Sequence, residues 1–486
     1  MTDLARTEDW QRLDPRMLLV HPIQETWKFL PALVGVVVVG SAGGLGLPAL
    51  AAAVFPIGIG LARYLTTSYR IAAGRIELRR GLLQRQLLST PVDRVRTVDL
   101  TAPLVHRILG LTKVLVGTGS AVTDDDGRLE LDALTAAEAA ALRDRLLRAA
   151  APATDGEKAG AVPPPEPVAV FEPRWLWYAP FTSTGLVVAG GVLGAAAQAF
   201  GEYDVRIDLD ESDLAGLSTP VLVAAAVGLV GVALLVTVLG YLVTNWRLTL
   251  TRLPESWHLR RGLLTTRETS IDVDRLAGVA VGEQAGLRLA RGRRLSAIVT
   301  GLDRSESGSE VLVPPAPAGV VRAAARAALG TEAPLATQLT GHGPAAVRRR
   351  FTRALVPAAL LAAVPVGLVV AGWSPWLLLV SALAVAAATA LAADRARGLG
   401  HALTGGHLVA RSGSLLRKRE MLATDHVIGW TFRATWFQRR AGLTTLSATT
   451  AGGRGAVTSP DMSMPQATAL ADAAVPGLVA QFVTRG

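Results

Sequence analysis

The chain contains no cysteine, so disulfides, thiolate nucleophiles and thiolate metal ligands are all excluded. Lysine is scarce: only four of the 49 basic residues are lysine. Charged residues make up 18% of the 486 positions, whereas half are hydrophobic, an apolar balance for a soluble protein. The seven histidines include no pair at helical metal-ligand spacing. There is no phosphate-binding Walker loop, no nucleophile elbow and no His-Glu-x-x-His. Thr123-Asp124-Asp125-Asp126-Gly127 lacks the ligand spacing of a calcium loop and reads as a polar turn. These absences leave no catalytic constellation, no metal and no cofactor. An enzyme would need a site assembled from distant parts of the chain.

What is present is apolar sequence in blocks. A membrane-spanning helix needs roughly 20 apolar residues. Phe29–Leu65 carries no charge before Arg63 and is broken by Gly43-Gly44-Leu45-Gly46-Leu47-Pro48. Ala179–Phe200 pairs with Pro220–Val243, and Ala354–Gly372 with Trp376–Ala393. The expectation is six spans in three hairpins. A signal peptide fits the first block poorly, because a long acidic-containing segment precedes it and a second apolar run follows at once. No ionisable residue lies mid-span, where a transporter or proton relay carries one. That disfavours the rival reading of a transport or lipid-handling pathway through the helices.

Basic residues flank only one side of these hairpins: Arg12, Arg16 and Lys28; Arg63 and Arg70; Arg174; Arg247 and Arg252; Arg348, Arg349, Arg350 and Arg353; Arg395 and Arg397. The long turn 201–219 has Arg206 against six acids. Positive charge marks the cytoplasmic side. Both termini are therefore expected in the cytoplasm and the chain in the cell (plasma) membrane. The net charge of +10 suits an anionic bilayer better than nucleic acid. Trp27, Trp175, Trp177, Trp246, Trp373 and Trp376 lie near span ends, as an interfacial belt requires, while Trp10, Trp257, Trp430 and Trp436 read as core residues.

Behind each hairpin the same pattern recurs. Arg79-Arg80-Gly81 is followed by Asp93-Arg94-Val95 and Gly110. Arg260-Arg261-Gly262 leads to Asp274-Arg275-Leu276 and Gly292, and Arg411-Ser412-Gly413 to Asp425-His426-Val427 and Gly442. Glycine to aspartate is 12 positions in all three, and glycine to second glycine is 29, 30 and 29. This is an internal repeat. Within it, period-two runs such as Arg75–Arg79 predict half-buried strands. Helices close the units: Thr135-Ala136-Ala137-Glu138 is a capping box opening one through about Ala150, with Ala318–Leu329 and Pro465–Ala474 as counterparts. The predicted order is an N-terminal segment (1–28), hairpin (29–65), β domain (66–150), linker (151–174), hairpin (175–245), β domain (246–330), linker (331–353), hairpin (354–395) and β domain (396–486). The Pro- and Gly-containing linkers read as flexible tethers.

A membrane hairpin followed by strands and one closing helix, with the "RRG" turn, the "DRV" segment and Leu104-Val105-His106-Arg107-Ile108-Leu109-Gly110-Leu111, resembles the bacterial pleckstrin-homology-like (PH-like) membrane proteins of the YdbS and YdbT type. Trp436–Leu443 repeats the last segment, whereas the second copy departs, with Leu289 where Arg107 and Arg439 stand and Arg293 in place of the leucine. The resemblance implies an α+β membrane protein of three hairpin-plus-PH-like units. Matched spacings with diverged surfaces, behind short hairpins, lead to the expectation that the three units pack side by side around a pseudo-threefold axis. The resemblance also implies a smaller single-domain YdbS-like membrane protein as a partner. Arg79, Arg80, Arg260, Arg261 and Arg411 at the first hairpin turns are candidates for lipid phosphate or partner carboxylates; a solvated strand end is the alternative. Gly81, Asp93, Gly110, Gly262, Asp274, Gly292, Gly413, Asp425 and Gly442 are expected to be structural, the second glycine of each copy as a positive-φ turn. The function expected is non-enzymatic: cytoplasmic PH-like domains presented at the membrane as a scaffold for protein partners, anionic lipid or both.

Overall fold

The computed structural model describes residues 10–18, 65–72, 74–80, 86–91, 97–117, 129–150, 167–182, 219–300 and 311–477, with five helical positions between 185 and 194. The first hairpin up to residue 64, the turn holding Gly81, Asp93 and the acidic loop up to residue 218 lie outside the described residues.

Each copy has six strands. The first copy has β1 (Ser68–Ala72), β2 (Arg75–Arg80), β3 (Gln86–Pro91), β4 (Thr97–Ala102), short helix α1 (Leu104–Ile108), β5 (Leu111–Gly117), β6 (Leu129–Thr135) and closing helix α2 (Ala136–Ala150). The second has α3 (Thr219–Asn245), β7 (Thr249–Arg252), β8 (Ser256–Arg261), β9 (Thr266–Asp272), β10 (Leu276–Gln284), α4 (Ala285–Leu289), β11 (Gly292–Val299), β12 (Val311–Pro317) and α5 (Ala318–Leu329). The third has α6 (Pro344–Val370), α7 (Leu377–Arg397), β13 (Gly400–Thr404), β14 (His407–Ser412), β15 (Leu416–Ala423), β16 (Gly429–Arg433), α8 (Trp436–Arg440), β17 (Leu443–Thr449), β18 (Ala456–Ser463) and α9 (Met464–Ala474).

Local chemistry accounts for these breaks. Gly405 and Gly406 both have positive φ, 56° and 71°, the requirement of the tight turn joining β13 to β14. Gly262 and Gly413 have φ of 114° and 98°, and a Cβ at either would run into the backbone carbonyl of Thr265 or Leu416. The "RRG" glycine is therefore obligatory for this turn. Thr135 and Glu138 form the capping box, with the Thr135 N–H donating to Glu138 Oε2 at 3.1 Å and the Glu138 N–H to Thr135 Oγ1 at 3.3 Å.

The chain divides into two compact units. One contains the first copy and the opening strands of the second. β1–β3 form one sheet, β4–β6 belong to another, and the two enclose a core of Ile76, Leu78, Val98, Leu100, Val114, Leu131 and Leu146, joined by Leu13 and Met17 of the N-terminal segment. The second sheet does not end at β4. It continues into β9, β8 and β7 of the next copy, with Thr97 opposite Ile271.

The other unit repeats the arrangement one copy along. β12-β11-β10 continues into β15-β14-β13, with Gly278 opposite Leu422. β16-β17-β18 pack over the third copy's opening strands around Leu408, Leu422, Leu446, Met462 and Leu470. Both junctions use one register: the residue four positions after the repeat aspartate faces the residue nine after the turn glycine. Adjacent copies thus share sheets rather than hanging as separate beads.

Among the described residues three helices are long and apolar enough to cross a membrane: Val227–Asn245 within α3, α6 and α7. At 1.5 Å per residue the 21 residues of α7 span about 31 Å, close to the thickness of a hydrocarbon core. Leu360, Leu361, Val364 and Val370 are exposed on α6, a surface stable against lipid and not against water. α6 and α7 form an antiparallel hairpin, with Ser381 Oγ donating to the Ala362 carbonyl at 2.8 Å and Trp373 and Trp376 exposed at its turn. The described residues therefore hold three of the six predicted spans; within Ala179–Phe200 only scattered positions are described.

Three expectations are corrected. Trp175 is fully buried, edge-on to Phe171, in a short 3-10 helix Pro173–Phe181, so it is a core residue and not an interfacial one. Conversely, Trp436 is 57% exposed and not core. The segment 330–344 is docked where composition suggested a tether. Arg419 donates to the carbonyls of Pro334 and Thr337, Thr340 bridges to His401, and His342 is buried. Its Pro and Gly content reflects turns, because the chain's polar groups find partners on β13 and β15.

Candidate functional site: a basic cavity beside the last span

The repeat frame needs one adjustment before copies can be compared. Gly110 and Gly442 take positive φ (73° and 66°) after their short helices, as expected. In the second copy that conformation belongs to Arg291, φ 59°, and Gly292 is not the turn residue. Gly292 instead begins β11 beneath the ring of Tyr178, which a Cβ would strike. With Arg291 as the turn, the glycine-to-turn spacing is 29 in every copy. Arg288, not Leu289, then matches Arg107 and Arg439.

The corrected match has a structural counterpart. Arg107 donates to the Leu263 carbonyl at 2.7 Å, and Arg288 to the Ser414 carbonyl at 3.4 Å. Leu263 and Ser414 each directly follow the turn glycine of the next copy. Arg288 also grips Asp394 in the last turn of α7 with two bonds of 2.9 and 2.8 Å, where Arg417 and Ser414 join it.

The "RRG" arginines are dispersed among separate tasks. Arg79 lies 4.2 Å from the ring centre of Trp10, with Arg70 at 4.7 Å. Arg260 pairs with Glu268 at 3.1 Å and is mostly exposed. Arg411 donates to the carbonyls of Arg397 and Gly398, capping the end of α7. Arg261 ends β8 and Arg80 ends β2; the Arg80 side chain is outside the described set. Asp274 and Asp425 sit in single 3-10 turns, Val273–Arg275 and Thr424–His426.

A further cluster of positive charge lies elsewhere among the described residues. A cavity of about 330 Å³ opens where β10, β11 and β15 meet the 450–457 loop. Arg294, Arg417, Lys418 and Arg454 line it, with Glu420 as its acid. Lys418 is held by Glu420 at 2.5 Å and Arg417 by Asp394 at 2.6 Å. Arg294 has only a long 3.5 Å contact to Ser296 Oγ, and no carboxylate pairs with Arg454 among the described residues. Burial, then the like charge of Arg454, pushes the Arg294 pKa down. Two guanidinium groups that disfavour each other, in a half-enclosed space, make a site whose charge an anion would complete. Gly282 permits it: the Arg294 stem crosses Gly282, where a Cβ would come within 2.5 Å of Cγ.

The same position in the first copy is Lys113, opposite Thr101 as Arg294 is opposite Gly282. Lys113 is paired with Glu130 and lies 4.0 Å from Asp132. The strand register puts Val311 where Glu130 stands, Leu115 facing Glu130 as Ser296 faces Val311. The second copy has a cation at this position with an apolar residue in place of that acid. Sequence reading missed this site because the one-residue offset at Gly292 hid the alignment.

Residues 29–150 and 355–474 match the bacterial PH domain family. Each matched stretch takes in a pair of apolar runs and the β domain behind it. The stretches cover the first and third copies; the second, which supplies Arg294, lies between them. No curated protein and no solved structure matches the chain. The match supports the PH-like reading of the repeat and leaves the finer YdbT-like assignment as a resemblance.

One more polar cluster belongs to the third PH domain. Asp461 is fully buried, with a φ of 61°, and takes Arg349 at 2.5 Å, Arg350 at 2.6 Å and Gln438 at 2.8 Å. It ties the first turns of α6 to β18. Beside it His342 and His401 stack with centroids 5.1 Å apart. Burial lowers both pKa values, His401 to about 4, so both rings are neutral at pH 7. Among the described residues no cluster has the composition of a metal site.

Proposed function

We propose that this chain is a non-enzymatic integral membrane protein whose PH-like domains bind anionic phosphate head groups at the cytoplasmic surface through the basic cavity. The proposed arrangement is six spans in three hairpins, both termini cytoplasmic, and three PH-like domains set around a pseudo-threefold axis as a scaffold that also takes protein partners, among them a smaller single-domain relative. The observation that carries the ligand reading is the pair Arg294 and Arg454, which share a cavity and form no ion pair with a carboxylate among the described residues. Arg417 lines the same cavity while bonding Asp394 in the last turn of α7, so the cavity lies next to the end of a candidate span, which supports a head-group ligand. Positive charge near an anionic leaflet is worth about 1 kcal/mol per residue.

The test is lipid retention by the full chain in nonionic detergent, read by native mass spectrometry with phosphatidylglycerol and phosphatidylcholine in competition. Native protein should retain phosphatidylglycerol. Arg294→Ala with Arg454→Ala should lower that retention by about tenfold or more, at about 1 kcal/mol per arginine. Equal retention of the two lipids by native protein, or unchanged retention in the double variant, would defeat the reading.

A further inference from the structure

Side chains from two short segments converge on the end of α7. Asp394, in its last turn, accepts two bonds from Arg288 of α4, at 2.9 and 2.8 Å. It also accepts one from Ser414 Oγ at 2.7 Å and one from Arg417 at 2.6 Å. Arg417 donates to the Asp394 carbonyl at 3.0 Å as well, and Arg411 to that of Arg397 at 2.9 Å. The Ala285 N–H that opens α4 donates to the Leu415 carbonyl at 2.8 Å. Helix α4 and the turn 413–417 are therefore strapped to each other and to α7. Asp394 is the first charge after the apolar run of α7, so the strap lies where that helix changes from apolar to charged.

The strapped segments carry large apolar side chains that the protein does not cover. Leu289 directly follows Arg288 and is 85% exposed, and Leu415 and Leu416, after Ser414, are 56% and 65% exposed. Around them the charge is basic: Arg395 and Arg397 of the last turn of α7 are exposed, whereas Asp394 is already paired. α4 also packs on the 3-10 helix Pro173–Phe181, where a Cβ on Gly286 would come within 2.6 Å of the Phe181 carbonyl. Trp177 of that helix is exposed, with its ring centre 5.7 Å from that of Phe181, at the entrance to the apolar run Ala179–Phe200. An exposed tryptophan there is what a membrane interface favours.

The junction of β4 with β9 repeats the display. Ile108, directly after Arg107, is exposed, and so is Leu264, two places after Gly262 as Leu415 is after Gly413. Both strand junctions are complete, so a missing strand does not account for these exposed side chains. Apolar side chains clustered beside arginines at the end of a lipid-facing helix continue that helix's own surface.

We propose that Leu289, Leu415 and Leu416 insert into the bilayer leaflet at the end of α7, with Arg395 and Arg397 meeting its phosphates. The partner is an anionic lipid surface. It complements the charge, and it takes in apolar side chains without needing a shaped pocket. The strap on Asp394 sets the depth. Because Leu416 also lines the basic cavity, insertion brings one edge of that cavity to the head-group layer. The inference rests on the reading of α7 as a span and not on the cavity's ligand.

The absence of native cysteine makes the test direct. Leu289→Cys, Leu415→Cys and Leu416→Cys are made singly in the full chain, labelled with bimane and placed in nanodiscs of phosphatidylglycerol and phosphatidylcholine. Leu383→Cys, exposed within α7, reports on the span itself. Lipids brominated near the head-group end of the acyl chain should quench all four labels severalfold relative to unbrominated discs. Iodide in the buffer should quench the three junction labels far less than it quenches free bimane. Loss of lipid quenching at the junction labels, with Leu383→Cys still quenched, would overturn the insertion and leave the span intact. Iodide quenching would then show that water takes this surface, and its absence that protein does. An unquenched Leu383→Cys would overturn the span reading and the insertion together.

Discussion

Lys113 and Arg294 hold one register position in two copies of the same fold, and their surroundings give them opposite roles. Lys113 meets Glu130 and Asp132 across its strand pair and is spent on holding the sheet together. Arg294 meets an apolar strand and a second arginine, and no carboxylate pairs with it among the described residues. A third solution appears at His342 and His401, buried bases that shed their charge. A cation's role in this repeat is set by the acid across from it, not by the cation.

The comparison breaks most visibly where matched cations lose their acid. Asp461→Ala would leave Arg349 and Arg350 largely buried and unpaired, a change that costs about 3–5 kcal/mol. A large drop in thermal stability in detergent is expected; a drop below about 1 kcal/mol would mean the two arginines escape to solvent.

The neutral solution has a pH signature. The folded pKa of His401 is about 4, below the usual histidine value, so the unfolded chain takes up a proton first as pH falls. Stability from this group is complete above about pH 6.5 and is lost as pH falls toward 4, by on the order of 2 kcal/mol. His342 adds in the same direction, beside Asp461 and Arg350. His401→Gln should flatten that part of the stability profile between pH 6.5 and 4. An unchanged slope would count against burial as the cause.

The smallest expected effect sharpens the comparison best. Val311→Glu restores to the second copy the acid that the first has at Glu130. Arg294 then has a partner. Stability should change by less than about 1 kcal/mol, the range of a partly exposed pair. Phosphatidylglycerol retention should nevertheless drop severalfold in the lipid competition assay. Retention equal to native protein would show that the cavity's charge is not what recognises lipid.

Much of the architecture was legible in residue order. The apolar runs 354–372 and 376–393 became α6 and α7, and the capping box at Thr135 opens α2 where expected. The helix Ala318–Leu329 has the predicted ends. Glycine at 262 and 413 was readable as a turn because only glycine tolerates that backbone next to a carbonyl. Less was legible in the site. The turn arginines drew notice by repetition, but Arg79 stacks on Trp10, Arg260 meets Glu268 and Arg411 caps α7, each partner remote or on a facing strand. Gly292 misled because a glycine one place beyond the turn kept the pattern while Arg291 took the strained conformation.

Sequence alone showed a glycine–aspartate–glycine pattern recurring at fixed spacing, which stretches are apolar enough to cross a bilayer, and where the chain turns at Gly262 and Gly413. Those properties are local: periodicity, hydropathy and backbone freedom act over a few residues. Only tertiary structure decided which copy lends its strands to which neighbour and which cation meets an acid. The reason is that strand edges pair through backbone N–H and carbonyl groups that every residue but proline carries alike. Val311 and Glu130 become counterparts only once the register of β11 with β12 and of β5 with β6 aligns them.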